Sequence, residues 1–302
     1  MCLAQTIDHK SIATILTCMT ISMFMHTRPL DNFFSSGTYT PVVTYNTSMH
    51  HEAMEALREL AAPYLNREGS VRFLDIACGG QPVTPHFLAR NARPTFKYTG
   101  VDIDPNQIRS AQSYAFEGCA IKPRFLIGDG WNLDDVPELA REQFDIVFTG
   151  LNLHHGTPEE IFYALQSIKQ KMLPGALLLI HDEFRPPEAT YFRRPMQGSS
   201  GQSLQLVNHD RLTAIPTLEI PESRTDWRHL FFATYRDNIE GVGISEETAQ
   251  KVIDHISEYD YALSLAEMTV ILEMLDFQVT AKSFASTSHP VGMYFGVMMA
   301  TL

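Results

Sequence analysis

Residues 71–84, VRFLDIACGGQPVT, decide how this chain folds: an unbroken apolar run, an acid near its end, two adjacent glycines, then the start of a helical pattern. A run that stays apolar at successive positions fits a strand buried on both faces, as in a parallel sheet covered by helices. Gly79 and Gly80 permit a tight turn and a close approach of ligand to backbone where strand passes into helix. The stretch is not a dinucleotide fingerprint. G-x-G-x-x-G is absent, and Asp75 stands where a pyrophosphate needs neutral or positive surroundings. A carboxylate at that place suits a cationic ligand, which disfavours a nicotinamide-dependent oxidoreductase.

The same pattern recurs on either side. Apolar runs at 97–103 (KYTGVDI), 124–129 (RFLIGD), 144–151 (FDIVFTGL) and 176–184 (ALLLIHDEF) alternate with helical stretches, the signature of a doubly wound, mostly parallel sheet. Upstream, Met54, Leu57, Leu60 and Ala61 form a helix-period stripe behind the cap formers Asn46, Thr47 and Ser48. Before the fifth run, Thr157 and Glu160 make a capping box with Pro158 in the first turn. Ile161, Phe162, Leu165, Ile168 and Met172 supply the buried stripe, and Pro174 and Gly175 are expected to stop the helix. Ser264 and Glu267 open another helix with Met268, Ile271, Leu272 and Leu275 on one face. The runs FQVTAKSFAS and GMYFGVMMATL then pair as an antiparallel C-terminal hairpin, giving seven strands in all.

The rhythm breaks after Phe184, where a Pro-, Gly- and Ser-rich loop is followed by a helical pattern around DWRHLFFATYRDNI. The organisation expected is therefore an N-terminal extension or cap (1–47), a core (48–184), a helical and loop insertion forming a substrate lid (185–260), and a helix and hairpin completing the core (261–302).

With 302 residues and a formal charge of −12, the chain has ample core but no basic face on which to release counterions from a nucleic acid. A small-molecule substrate is expected, with no nucleic-acid and no membrane partner. Cys2, Cys18, Cys78 and Cys119 show neither zinc spacing nor a disulfide framework, which fits a reducing, cytoplasmic setting. Residues 11–25, SIATILTCMTISMFM, have no small-residue cleavage site after them and are too short to span a bilayer. They read as an amphipathic cap helix or as sequence upstream of a true start at Met23 or Met25.

Asp102 lies 27 residues after Asp75 at the end of the second run, a position from which an acid accepts hydrogen bonds from both hydroxyls of a ribose. Asn152, His154 and His155 follow the fourth run directly, where open α/β sheets place their ligands, and one of the three is expected to point at the pocket. His154 is placed to act as a general base near neutral pH, with His181 and Asp182 after the fifth run as further candidates. A metal is not expected at His181-Asp182-Glu183, because contiguous residues of an extended chain point to opposite sides. Tyr39 and Tyr45, and Tyr191 and Arg194 in the insertion, are candidates to close the pocket, Tyr191 also as a catalytic group. Asp145, at the start of the fourth run, reads as a turn anchor, and Asp104 and Asp135 as surface acids.

Taken together, these stretches resemble the class I S-adenosylmethionine-dependent methyltransferase family over most of residues 70–184 and into the last hairpin. The resemblance implies a Rossmann-like fold with S-adenosylmethionine as cofactor. LDIACGG, 74–80, looks like the family's first motif, with the Ala77–Gly79 turn meeting the methionine moiety and Asp75 below it. Asp102 resembles the ribose ligand and Ile103 its adenine-packing neighbour. GDGWNL, 128–133, looks like the next motif, in which Asp129 accepts from the adenine amino group and the Gly130 or Trp131 backbone serves the ring. TGLNLHH, 149–155, resembles the segment that faces the sulfonium, which adds Asn152 to the cofactor set along with Tyr39. MLPGALLLI matches the Pro-Gly turn into the fifth strand. Where the family has a further glycine this chain has Gln81, so either the turn sits differently or Gln81 itself touches the ligand's carboxylate.

The activity so implied is methyl transfer to oxygen, nitrogen or carbon of a small metabolite. Two other readings use the same residues: aminocarboxypropyl transfer or cyclisation with release of methylthioadenosine, and a non-catalytic ligand-binding protein that kept the fold. The sequence does not reveal the oligomeric state.

Overall fold

The computed structural model describes residues 49–90, 92–184, 243–259, 262–284 and 294–301. In chain order these form α1 (His50–Leu65), β1 (Ser70–Ile76), α2 (Val83–Ala89), β2 (Thr95–Asp102), α3 (Pro105–Gln112) and β3 (Ile121–Ile127). There follow β4 (Phe144–Gly150), α4 (Pro158–Gln170), β5 (Met172–Phe184), α5 (Glu246–Tyr259), α6 (Leu265–Met274), β6 (Gln278–Phe284) and β7 (Tyr294–Thr301). The strands lie in the order β3-β2-β1-β4-β5-β7-β6, and β7 alone runs antiparallel to its neighbours. The winding reverses between β1 and β4, so the carboxyl ends of those two strands flank the crevice in which such sheets bind ligands.

Alternation along each strand feeds two separate cores. Phe73, Phe96, Ile146, Leu177 and Leu179 face α1, meeting Ala53, Leu57, Ala61 and Leu65. Leu74, Val101, Val147, Leu178 and Ile180 face the opposite layer, where Ile161, Leu165 and Ile168 of α4 and Met268, Ile271 and Leu272 of α6 cover them. Both capping boxes form: the Thr157 and Ser264 hydroxyls each accept from the backbone N–H three residues on, and Glu160 and Glu267 reach back to the cap N–H groups. Asp145 accepts the Arg72 N–H at 2.8 Å and pairs with Arg67 at 2.8 Å, so it pins the lower end of β1.

Three local expectations differ from the structure. Helix α1 begins at His50 with Met49 in the cap position at φ 52°, and no side chain caps it. Met54, Leu57 and Ala61 are buried as expected, but Leu60 is only half-buried, and Ala53, Ala56 and Leu65 complete the buried face. Helix α4 ends at Gln170, and Met172 opens β5, because the Lys171 carbonyl accepts the Phe144 N–H at 2.8 Å and Met172 pairs with Phe144. β5 therefore runs through Pro174 and Gly175, and the φ of 74° at Gly175 is a conformation in which glycine carries no Cβ penalty. The N-terminal cap, the alternative starts, the loop after Phe184 and the helical pattern at 226–239 lie outside the described residues. Among the described residues no helix is long and apolar enough to cross a membrane.

Candidate functional site

The carboxyl end of β1 turns sharply: Ala77 has φ 54° and Gly79 φ 59°, with the Cys78 N–H held by the Val101 carbonyl at 3.0 Å. The left-handed conformation at Ala77 costs about 1–2 kcal/mol for a residue with a Cβ. Asp102, 8% exposed, fixes this turn from the next strand. Its Oδ2 accepts the Gly79 N–H and its Oδ1 the Asp104 N–H, both at 2.9 Å. Burial raises the Asp102 pKa from the usual carboxylate range, and these backbone donors oppose the rise. Each carboxylate oxygen carries two lone pairs, so one donor apiece leaves acceptor capacity for a ligand's hydroxyls. Beside it, Ile103 is 46% exposed, a large apolar side chain turned to the surface at the strand's end.

Asp75 is 2% exposed and accepts the Tyr98 hydroxyl on Oδ2 at 2.7 Å. Burial pushes its pKa up to about 7, the Tyr98 hydrogen bond opposes this, and the neighbouring Asp102 charge adds to it. Among the described residues no lysine or arginine pairs with either acid. The site thus presents two buried acids, neither with a basic partner among the described residues, next to a turn where none of those residues comes within 4 Å of a Cβ built on Gly79. That arrangement fits a ligand with a vicinal diol and a positive charge. Gln81 is exposed at the turn before α2, and its carbonyl accepts the Val83 N–H at 2.7 Å.

After β3 the chain folds back onto β1. A Cβ on the buried Gly130 would lie 2.5 Å from Ile76 Cγ2, so only glycine lets the loop pass this close to the strand. Asp129 Oδ1 accepts the Trp131 N–H at 2.8 Å, and the Trp131 indole N–H donates to Asn152 Oδ1 at 3.1 Å. The Asn152 amide donates in turn to Thr149 Oγ1 at 3.2 Å, which connects the loop after β3 to the segment after β4. Trp131 also lies flush against Gly156: an added Cβ would meet its ring at 2.1 Å. Gly156→Ala is expected to displace the indole, lower stability by about 1–3 kcal/mol through overpacking and break the bond to Asn152. Urea unfolding, read with the shift in tryptophan emission, checks this.

At the ends of β4 and β5, Leu151 takes φ 47° and donates its N–H to the His181 carbonyl at 2.7 Å. His154 lies in the short 3₁₀ turn Leu153–His155 and is 6% exposed. Its Nδ1 is 2.5 Å from Asp182 Oδ1. Asp182 also accepts the Leu153 N–H on Oδ2 and the Glu183 N–H on Oδ1, each at 2.9 Å. His181 faces the other side of β5, where its ring meets His50 edge-on at 5.3 Å between centroids. Burial, with His181 and then His51 adding to it, drives the His50 pKa down to about 3, so His50 is uncharged at neutral pH. His155 continues the array on the Asp182 side, 4.0 Å from the His154 ring and 5.2 Å from His255 of α5. Among the described residues no group of three or more His, Cys, Asp or Glu is placed to hold a metal ion.

Asp75, Ala77, Gly79 and Asp102 thus meet at the ends of β1 and β2, while Asn152 and His154 meet at the ends of β4 and β5. Asp129 and Gly130 border both sets. His181 is separated from His154 by the sheet itself. Tyr39, Tyr45, Tyr191 and Arg194 lie outside the described residues. Sequence reasoning missed Tyr98, His50, His255 and the Trp131 side chain. For Tyr98 a signal existed: a tyrosine within a buried strand needs a partner for its hydroxyl, and the preceding strand carries a buried acid.

A doubly wound sheet with β7 inserted antiparallel between β5 and β6, and acids at the ends of β1 and β2, is the class I methyltransferase architecture. Residues 73–175 match the family model described as Methyltransferase domain, from β1 to the start of β5. These residues belong to that family, so the chain carries a methyltransferase domain of the class I kind, whose cofactor is S-adenosylmethionine.

Two solved structures share the fold, and a third is similar over part of its length. The plantazolicin methyltransferase BpumL in complex with SAH is 13% identical with a TM-score of 0.50, over 97% of this chain and 98% of that one. The YcgJ protein from Bacillus subtilis is 12% identical with a TM-score of 0.50, over 83% of this chain and 99% of that one. A possible exported protein from Bordetella parapertussis is 16% identical with a TM-score of 0.47; the match takes in 82% of this chain but only 66% of that one. No curated protein matches the sequence.

Proposed function

We propose that this protein transfers the methyl group of S-adenosylmethionine to a small-molecule acceptor held at the carboxyl ends of β4 and β5, with His154 as general base. The observation that carries the reading is that Asp75 and Asp102, buried and without a lysine or arginine partner among the described residues, stand at the ends of β1 and β2, while a carboxylate-backed imidazole stands at the ends of the neighbouring β4 and β5. Asp102 receives the ribose hydroxyls, Ile103 covers a face of the adenine, and the Asp129–Trp131 loop borders the ring. The backbone at Ala77 and Gly79 meets the methionine part, and Asp75 compensates positive charge beneath it. Gln81 stands at the rim of that turn, and Asn152 borders the sulfonium side.

When bound, S-adenosylmethionine supplies an electrophilic methyl carbon with its own leaving group. The residues are left to bind, align and exclude water. Alignment alone supplies about 7–11 kcal/mol of barrier lowering, and a placed base about 10² to 10⁴ in rate. Residues 185–260 serve as cover for the acceptor, with Tyr39 and Tyr191 as closing groups. The formal charge of −12 speaks against a nucleic-acid substrate, and the free thiols Cys78 and Cys119 suit a reducing cytoplasm.

The test is mass spectrometry of small molecules after incubation with methyl-labelled S-adenosylmethionine and a metabolite extract. Label in a small molecule, with an equal amount of S-adenosylhomocysteine, is the expected result. Methylthioadenosine formed by active protein beyond spontaneous decay would overturn it in favour of aminocarboxypropyl transfer or cyclisation.

A further inference from the structure

We infer that Asp182 is a positioning residue that holds His154 in the tautomer protonated on Nδ1, and that the acceptor is a neutral O–H or N–H compound that surrenders a proton as it is methylated. The inference rests on the methyl-transfer reading above and narrows its substrate class.

A carboxylate only accepts hydrogen bonds, so the 2.5 Å contact from His154 Nδ1 to Asp182 Oδ1 places the imidazole proton on Nδ1 and makes Nε2 the proton-accepting nitrogen. Asp182 cannot rotate without breaking its bonds from the Leu153 and Glu183 N–H groups, and it is 1% exposed. Leu153 precedes His154 in the chain, so one carboxylate fixes both the backbone and the ring of the base. Such a device stabilises an imidazolium as it forms, which matters only when the acceptor loses a proton. A carboxylate or thiolate acceptor brings none to lose.

Among the described residues the His155 ring packs 4.0 Å from the His154 ring, with His255 of α5 beyond it.

The step balances without a further reagent. A lone pair of the acceptor oxygen or nitrogen forms the bond to the methyl carbon, and the sulfur–methyl bond breaks with its electron pair kept by sulfur. The acceptor's proton passes to Nε2. The products are the methylated compound, neutral S-adenosylhomocysteine and an imidazolium held against Asp182.

The experiment compares wild type, Asp182→Asn, His154→Gln and the double variant in three measurements. Calorimetry with S-adenosylhomocysteine tests the cofactor reading alone and is expected to give dissociation constants within threefold of each other. Nitrogen-15 NMR of the histidine rings is expected to show a neutral Nδ1–H ring that the Asn variant switches to the other tautomer. Methylation is then followed with three probe sets: phenols with catechols and amides, aryl carboxylates, and aryl thiols.

Products are expected from the first set alone, with kcat down about 100-fold or more in each single variant, KM within threefold, and the double variant no slower than the worse single one. His154→Gln keeps both backbone bonds to Asp182, so it carries the test should Asp182→Asn fail to fold. A wild-type ring protonated on Nε2 overturns the inference. So does methylation of carboxylates or thiols alone, single-variant kcat values within threefold of wild type, or no product from the first set despite bound S-adenosylhomocysteine. Absence of S-adenosylhomocysteine binding to wild type overturns instead the function on which the inference rests.

Discussion

Asp102→Ala loses S-adenosylmethionine affinity by at least about 100-fold while the protein stays folded. The carboxylate supplies two kinds of contact. Toward the ligand it offers acceptors for two hydroxyls, and hydrogen bonds to a charged group are worth roughly 1.5–3 kcal/mol each, so losing both accounts for the effect. Toward the protein it binds the N–H groups of Gly79 and Asp104 and so sets the turn on which the methionine part rests. Stability falls by less than these lost bonds suggest. Burial disfavours the ionised carboxylate, and its removal releases that penalty. Asp102→Asn keeps one acceptor oxygen and is expected to fall between wild type and Asp102→Ala. Calorimetric titration paired with thermal unfolding separates the two contributions.

Asp75→Asn separates stability from binding in opposite directions. The folded pKa is about 7 against about 3.9 in an unfolded chain. A group whose pKa rises on folding contributes stability that is complete below the unfolded value and is lost as pH climbs through the folded one. The ligand-free wild type therefore loses stability between about pH 4 and pH 7, by on the order of 4 kcal/mol at most. Asn forms the same hydrogen bond with Tyr98 and carries no charge. The variant is expected to lack that slope and to unfold at higher temperature than wild type at pH 8. Its affinity for S-adenosylmethionine falls about 10- to 100-fold at pH 8, because a buried carboxylate next to a cation has been removed, and the wild type's own affinity rises with pH across the same window. Thermal melts from pH 4 to 8, with and without cofactor, read all of this, and a parallel pH slope in wild type and variant would remove Asp75 from the account.

Why some of this was legible in sequence and some was not follows from the range of the interactions. Continuous apolar runs and capping boxes are local, so the core strands and the starts of α4 and α6 were legible. The position of Asp75 and Asp102 at the carboxyl ends of β1 and β2 was legible because each closes a continuous apolar run. The start of β5 was not, because Met172 continues the apolar period of α4, and only its pairing with Phe144 across the sheet makes it a strand residue. The contacts from Asp182 to His154, Tyr98 to Asp75 and Trp131 to Asn152 each span more than twenty residues. They depend on which face of a strand or turn a side chain occupies, which the parity of a run suggests but does not fix. Parity did suffice at His181 and Asp182, which fall on opposite faces of β5 with different partners.

The most direct measurement is a calorimetric titration of S-adenosylmethionine into wild type and into Asp102→Ala at pH 7.5. One saturable site in wild type, weakened at least about 100-fold in the variant, is the predicted result. No binding to wild type, or equal binding to both proteins, would contradict the assignment of this crevice as the cofactor site.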